Sequence, residues 1–306
     1  LGAALLFGVF LYMAYLYLRP DMGLVRDSGK GLEDSGRKRW TEWLTQQWEG
    51  QEREEVRSYQ RLKVLAPASV LLYAVVMSVF SFDWAMSLEP HWFSTIFGAW
   101  FFMGALWGGV AASAWAVVYA KGKDPDVNKL MGTQQLHDLG KLSFAFTVFW
   151  AYLFFSQYIV IWYGKLPWEQ AWIVHRAEAP WGDLSVLAFV LCFLVPFAGL
   201  MGMRAKITPW TLRLFTTVIL AGLWLERYLM VVPSIHDGNP TITIWEPAIG
   251  LLFLGIFLWS VRWFLSTFPA IQLGQPLAEP AALAGVVRAG VGVWGLGAAP
   301  RFCPAP

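Results

Sequence analysis

Seven long runs of apolar residues, separated by polar segments, follow one another along the chain. They cover residues 1–19, 62–82, 94–120, 142–164, 183–203, 211–233 and 244–264. Each run has roughly the 20 residues that a helix needs to cross a hydrocarbon layer about 30 Å thick. The pattern therefore predicts an all-α integral membrane protein with about seven transmembrane helices.

The composition agrees with a multi-pass membrane protein. Of the 306 residues, 57% are hydrophobic and 14% are charged, whereas a soluble domain has about 25% charged residues. The net charge of +2 argues against a nucleic-acid partner. The two cysteines, Cys192 and Cys303, have no CxxC neighbour and cannot form a cysteine-rich cluster site. We interpret Cys192, inside an apolar run, as a small apolar filler.

Two regions depart from the membrane-helix pattern. The first apolar run ends at Arg19-Pro20, and the polar insert at 20–61 has charges of both signs and three indoles, Trp40, Trp43 and Trp48. Their spacing favours a short amphipathic helix, at the surface, against a partner subunit or as a solvated connector. The apolar but Gly-rich tail 269–306 contains Arg288. We expect this tail to be surface-attached or poorly ordered rather than an eighth span.

The distribution of Lys and Arg predicts the orientation. Residues 19–63, 121–141 and 204–213 contain ten, four and three of them, whereas 83–93, 165–183 and 234–243 contain none, two and none. Cytoplasmic loops carry the excess of Lys and Arg. We therefore expect the 83–93 break and His236 to lie on the periplasmic side.

The segment 81–98 covers the break between the second apolar run and the third. Pro90 lacks an amide donor and disfavours helical geometry at Glu89. The same segment contains Asp83 and His91. Acids beside a histidine in a membrane protein are candidates for proton handling, although a capped turn at the membrane interface would explain the same residues.

Glu226-Arg227 is the sharpest polar feature of the second half. Glu226 lies seven residues before Pro233, so it is about 10 Å below that end of its helix at roughly 1.5 Å per residue. Charges at this depth usually face the interior of a helix bundle. A proton path and a structural ion pair, with Arg227 extending outward, are both compatible with this placement.

The fourth apolar run has a polar and aromatic stripe. Its members recur at intervals of four, three, four and three, which places Ser143, Thr147, Trp150, Phe154 and Gln157 on one helix face. This face should turn toward other helices. Helix packing would explain the stripe as well as a proton path would.

If the stripe on the fourth run is part of a proton path, the residues at its two ends can also be predicted. His137, Asp138 and Lys141 precede the fourth run and would mark its cytoplasmic mouth. Gln157 lies at a depth similar to that of Glu226 and Arg227, so we expect the three side chains to approach one another.

Metal and haem ligands are not indicated. His91, His137, His175 and His236 are the histidines of the chain, and they do not form a pair at ligand spacing on one helix. The sequence has no P-loop and no Gly-rich dinucleotide fingerprint. We therefore expect no metal, haem or cluster to be bound by these side chains.

Two stretches carry a resemblance to a known family. Residues 83–98 have the pattern Asp-Trp-x-Met-Ser-Leu-x-Pro-His-Trp-Phe-Ser-Thr-Ile-Phe-Gly, and residues 138–167 run from Asp-Leu-Gly-Lys-Leu-Ser to Tyr-Gly-Lys-Leu-Pro. Both resemble the F subunit, an NrfD-like membrane subunit, of bacterial alternative complex III, a quinol:electron-acceptor oxidoreductase. The resemblance covers roughly residues 60–265.

The resemblance implies a domain organisation. NrfD-like subunits have two four-helix bundles, so residues 1–82 would be the second half of one bundle and 94–234 the whole of the other, joined by the break at 83–93. Residues 244–268 would be a peripheral transmembrane helix. The chain begins at Leu1 inside an apolar run without a charged segment before it, so we expect the N-terminal helices of the family to precede it.

The resemblance also implies partners and a role. The partners would be a paralogous NrfD-like subunit, an iron-sulfur subunit and c-type cytochrome subunits in a bacterial inner membrane, with quinone, iron-sulfur clusters and haem c held by those partners. The F subunit would take part in proton translocation coupled to quinol oxidation, without a redox centre of its own.

Three alternatives remain open from the residues alone. The chain could be a purely structural scaffold, or it could provide a second quinone site near Asp83, His91 and the nearby indoles. A secondary transporter is disfavoured, because such proteins often break their helices at the membrane midplane, whereas the proline-containing breaks here fall at helix ends.

Overall fold

The computed structural model describes residues 1–29, 35–123, 127–128, 131–235 and 244–269. These residues form helices and connecting turns, without a strand among them. The seven helices that are long and apolar enough to cross a membrane are Gly2–Ser28, Gln51–Leu88, Thr95–Lys123, Thr133–Gly164, Gly182–Leu200, Pro209–Ile235 and Trp245–Thr267. The predicted all-α fold with seven transmembrane helices is confirmed, and the chain is a multi-pass membrane protein.

We number the helices in chain order. They are α1 (Gly2–Ser28), α2 (Ser35–Leu44), α3 (Gln51–Phe80), α4 (Thr95–Lys123), α5 (Thr133–Gly164), α6 (Pro167–Ala177), α7 (Gly182–Leu200), α8 (Met203–Ile207), α9 (Pro209–Ile235) and α10 (Trp245–Thr267). Helix α7 contains a π turn at Val190–Leu194. The tail beyond 269 and the segment with His236 lie outside the described residues.

Contacts divide the chain into two compact units. Among the described residues, unit 1 consists of Leu1–Gly8 and Ala68–Leu258, and unit 2 consists of Val9–Pro67 and residues 259–269. Helices α1, α3 and α10 therefore belong partly to each unit. The grouping into two four-helix bundles has other boundaries and stays a prediction.

Unit 1 has its core where α4, α5 and α9 pack together. Large side chains of α4 and α5, among them Trp107 and Trp150, are buried there. Gly104 and Gly108 let α9 approach α4, because a Cβ at Gly104 would meet the Arg227 guanidinium at 2.5 Å and one at Gly108 would meet Leu223 at 3.2 Å. Gly104 and Gly108 have the GxxxG spacing that permits close helix approach.

Unit 2 is organised by a buried ion pair. Arg19 of α1 donates to Glu54 of α3 through Nε (2.8 Å) and Nη2 (2.9 Å). The same guanidinium donates to the carbonyl oxygens of Leu44 at 3.1 Å and Gln46 at 3.0 Å. Both charged side chains are almost fully buried, so Arg19 ties the turn after α2 to both long helices.

The helix boundaries differ from prediction where tertiary contacts compensate for a helix breaker. We expected the first helix to end at Arg19-Pro20, and this is wrong, because α1 continues through Pro20 to Ser28. The buried Arg19 contacts hold this turn in place. The predicted short amphipathic helix is present as α2, whose Trp40 packs against Trp263 and Phe268.

The break after α3 is shorter than predicted. Helical structure continues beyond Phe80 through a π turn at Ser81–Ala85 and a 3-10 turn at Met86–Leu88. Glu89 then leaves the helical region, as expected for a residue before proline. Helix α4 begins at Thr95.

Candidate functional site

A cavity of about 630 Å³ lies inside unit 1, bordered by α4, α5, α6, α7 and α9. Aromatic rings form most of its wall: Trp100, Trp150, Phe154, Trp172, Phe189 and Phe193. The polar side chains on its wall include Gln157, Arg176, Ser185 and Glu226. A mostly apolar cavity with a few convergent polar groups is the usual form of a functional site in a protein.

The helical repeat of α5 explains one wall of the cavity. Trp150, Phe154 and Gln157 follow one another at intervals of four and three, and all three line the cavity. Trp150 and Phe154 stack with ring centroids 5.7 Å apart. The prediction that this stripe faces other helices is confirmed, since Trp150 and Gln157 are buried.

Glu226 of α9 places a carboxyl at the inner side of this cavity. The side chain is buried, and its Oε1 accepts a hydrogen bond of 3.3 Å from the indole Nε1 of Trp150. Its Oε2 has no hydrogen-bond partner among the described residues and lies 3.4 Å from the Arg227 Nε. The carboxyl therefore has one oxygen held by Trp150 and the other at ion-pair distance from Arg227.

The Arg227 guanidinium contacts Phe101 of α4. Its Nη2 donates to the carbonyl oxygen of Phe101 at 2.8 Å, and the guanidinium lies over the Phe101 ring at 4.2 Å from the centroid. Its Nη1 lies 3.1 Å from the Met230 Sδ. These contacts fix the guanidinium beside Glu226. Arg227 therefore pairs with Glu226 and also links α9 to α4.

Gln157 and Glu226 line the same cavity, and Arg227 is not among its lining residues. The expected approach of the three side chains stays a prediction. The Oε1 of Gln157 is buried and without a hydrogen-bond partner in the described part of the chain. A buried amide oxygen of this kind costs free energy unless a donor reaches it. Two buried acceptor atoms without a hydrogen-bond partner, one on α5 and one on α9, thus belong to side chains that line one cavity.

Arg176 of α6 is the most extensively hydrogen-bonded side chain of the cavity wall. Its Nε donates to the carbonyl oxygen of Leu229 at 2.9 Å, and its Nη2 donates to the Met230 carbonyl at 3.3 Å and to the Ser234 Oγ at 2.6 Å. Its Nη1 donates to the Glu89 Oε1 at 3.2 Å. One guanidinium therefore links α6, α9 and the segment after α3.

Pro233 explains why the Leu229 carbonyl is available to Arg176. In an α-helix the N–H of residue 233 would bond the carbonyl of residue 229, and proline has no N–H. The Arg176 Nε takes the place of the missing donor. The side chain itself stacks over Trp172, with the guanidinium carbon 4.0 Å from the ring centroid.

Burial lowers the pKa of Arg176 to about 10, and the nearby Glu89 acts in the opposite direction. This value is still well above neutral pH. The guanidinium therefore keeps its positive charge, and the Arg176–Glu89 contact is an ion pair under ordinary conditions.

The other residues predicted from sequence lie away from the cavity. Asp83 and His91 are exposed on the 81–98 segment. At the opposite end of α5, Lys141 pairs with Asp138 at 2.7 Å, and both are exposed, with His137 half-buried. Of the predicted acids, Glu226 lines the cavity and Glu89 binds Arg176 of its wall, whereas Asp83 and Asp138 lie outside.

Packed rings separate the Asp138 end of α5 from the cavity. Trp107 and Trp150 lie 6.0 Å apart between their centroids, and Trp100 lies 6.1 Å from Trp150. Below them, the Trp107 indole donates to the carbonyl oxygen of Ser143 at 3.2 Å. Indole rings thus fill the space between Ser143 and the cavity.

Arg176 and Ser234 are the residues of this site that the sequence reasoning missed. Residues 165–183 were interpreted as an outer loop, whereas residues 167–177 form α6 with Trp172 and Arg176 buried. The signal was the four-residue spacing of these two side chains beside apolar neighbours. Their partners could not be found from sequence, because Glu89 and Ser234 are 87 and 58 positions away.

No group of three or more His, Cys, Asp and Glu that could hold a metal ion occurs among the described residues. Cys192 is buried, and a Cβ at Gly222 would lie 2.9 Å from its sulfur, so it fills space between α7 and α9. His236 lies outside the described residues. The expectation that the chain binds no cofactor stays a prediction.

Comparison with known proteins adds no assignment. No protein family model and no curated protein sequence matches the chain.

Proposed function

We propose that the chain is a membrane subunit of an alternative-complex-III-type quinol oxidoreductase that delivers electrons to a cytochrome c or another periplasmic acceptor. In this role it takes part in proton translocation coupled to quinol oxidation, in a bacterial inner membrane. The motifs at 83–98 and 138–167 support the family, and the membrane fold is compatible with it.

The partners follow from the same proposal. A paralogous NrfD-like subunit, an iron-sulfur subunit and c-type cytochromes carry the clusters and haem c, and the quinol pool supplies electrons. The chain itself contributes helices and a proton-exchanging carboxyl.

The observation that carries the proposal is the environment of Glu226. A carboxyl buried at this depth in a membrane protein is costly and is usually functional. Trp150 and Arg227 stabilise its ionised form, while the aromatic wall favours the neutral form, so both protonation states have a place in the site. The Oε2, which has no hydrogen-bond partner among the described residues, supplies an atom at which a proton can be bound.

The test is Glu226→Gln in the whole complex, reconstituted into vesicles with quinol and an electron acceptor. The substitution keeps the shape of the side chain and removes its proton exchange. We expect the complex to assemble and oxidise quinol but to move fewer protons per electron. Glu178→Gln, which changes an exposed acid beyond α6, is the matched control and should keep the wild-type stoichiometry.

The scaffold alternative predicts a different result. If Glu226 only holds helices together, Glu226→Gln should lower the yield or the thermal stability of the complex, and the remaining complex should move protons at the wild-type stoichiometry. That outcome would refute the proton role.

A second candidate, a quinone-binding subunit, is favoured by the aromatic cavity itself. Its lining of aromatic rings, with the polar side chains of Gln157 and Glu226 among them, suits a lipid-soluble ring with hydroxyl groups. In that case Glu226→Gln and Gln157→Leu should both raise the KM for quinol, whereas a pure proton role leaves the KM unchanged.

A further inference from the structure

Helix α9 presents three side chains in line between the cavity and the end of the bundle. Glu226, Met230 and Ser234 are spaced four residues apart and share one face. Over these eight residues the helix rises roughly 12 Å. Glu226 and Met230 line the cavity, and Ser234 lies beyond it, where it donates to the Glu89 Oε1 at 2.6 Å.

Glu89 occupies the far end of this line. It comes from the segment that follows α3, and its side chain keeps 26% of its surface exposed. Arg176 and Ser234 both donate to its Oε1. Glu89 is thus a carboxylate with fixed hydrogen bonds on one oxygen and with access to the surroundings of the protein.

Arg176 connects the two ends. It lines the cavity on which Glu226 opens, and it also binds Glu89 and Ser234 outside. Its remaining donors are used by the carbonyl oxygens of Trp172, Leu229 and Met230. The charge of Arg176 is paired with the Glu89 carboxylate at this part of the cavity wall.

We propose that Glu89 is the outward proton-exchanging carboxyl in series with Glu226, and that Arg176, which lines the cavity, is the positioning residue that holds Glu89. The inference rests on the proposed function. A proton bound to the Glu226 carboxyl passes through water in the cavity to the Glu89 carboxylate, which leaves Glu226 ionised and Glu89 neutral. Glu89 then releases the proton to the aqueous phase, and Arg176 stays charged throughout.

The geometry requires an arginine at this position. The planar guanidinium offers five N–H donors in a fixed fork, whereas the lysine ammonium is a point charge with three. Arg176→Lys keeps the positive charge but cannot reach Leu229, Met230 and Glu89 together. This variant therefore tests whether the position of Glu89 matters when the positive charge at residue 176 is kept.

The experiment measures protons moved per electron in vesicles containing the whole complex, for Glu226→Gln, Glu89→Gln, Arg176→Lys and the control Glu178→Gln. We expect the first three to lose the same share of the stoichiometry and Glu178→Gln to lose none. The double variant Glu89→Gln with Arg176→Lys should lose no more than either single variant, because both changes interrupt one step. Thermal unfolding of each purified complex is measured in parallel.

The outcomes separate the two proposals. If Glu226→Gln loses stoichiometry while Glu89→Gln and Arg176→Lys keep it, the series arrangement is wrong and the role of Glu226 stands. If Glu226→Gln keeps the stoichiometry, the proposed function fails and the inference fails with it. A lower unfolding temperature with wild-type stoichiometry in Arg176→Lys and Glu89→Gln would make the network purely structural and overturn the inference.

Discussion

Arg176→Met tests whether one buried guanidinium holds α6 to the rest of unit 1. Methionine keeps much of the length and the contact with Trp172 but has no donor for Glu89, Leu229 or Ser234. Removing one partner of a buried ion pair costs about 3–5 kcal/mol. Since Glu89 keeps 26% of its side chain exposed and can remain hydrated, we expect the lower end, about 3 kcal/mol.

Pro233→Ala is a matched second substitution, because it restores the backbone N–H that Pro233 lacks. In the Arg176→Met background, Pro233→Ala introduces a backbone N–H that can donate to the carbonyl of Leu229. One recovered hydrogen bond should return about 1 kcal/mol. In the wild-type background the same change should have little effect, because the Arg176 Nε already donates to that carbonyl.

The free energy of unfolding can be measured by titrating the purified chain in mixed micelles with a denaturing detergent and following the loss of helix by circular dichroism. The four variants form a double-mutant cycle, whose coupling energy isolates the Leu229 contact. A loss below about 0.5 kcal/mol for Arg176→Met, which is the range of ordinary surface substitutions, would refute the role of this network. Equal effects of Pro233→Ala in both backgrounds would refute the explanation of its origin.

Two further substitutions test the packing of each unit. Glu54→Leu leaves Arg19 buried and unpaired, so unfolding should become easier by about 3–5 kcal/mol, and adding Arg19→Met should recover a large part of the loss in the same detergent titration. Gly222→Ala would place a Cβ 2.9 Å from the Cys192 sulfur and 3.0 Å from its backbone nitrogen, which should cost about 1–3 kcal/mol by overpacking. Gly109→Ala, whose Cβ would meet nothing within 4 Å, is the control and should not destabilise; a cost equal to that of Gly222→Ala would show that the close contact is not the cause.

Local sequence patterns were sufficient to predict the membrane helices and some residues of the site. The apolar runs predicted seven membrane helices because a membrane-spanning segment must be apolar along its whole length. The stripe on α5 predicted that Trp150 and Gln157 are buried, since a polar face in a membrane helix turns toward other helices. Glu226 was identified from its depth in an apolar run, which is a property of neighbouring residues alone.

Only the tertiary structure decided which distant groups pair. Arg176 was assigned to a loop because its segment is too short and polar to cross a membrane, yet its charge is buried through contacts with α9 and Glu89. Pro20 was expected to end a helix, and α1 continues through it in the unit where Arg19 meets Glu54, 35 residues away. A buried charge or an orphaned carbonyl must find a partner, but the sequence does not say which one. That choice depends on how the helices pack.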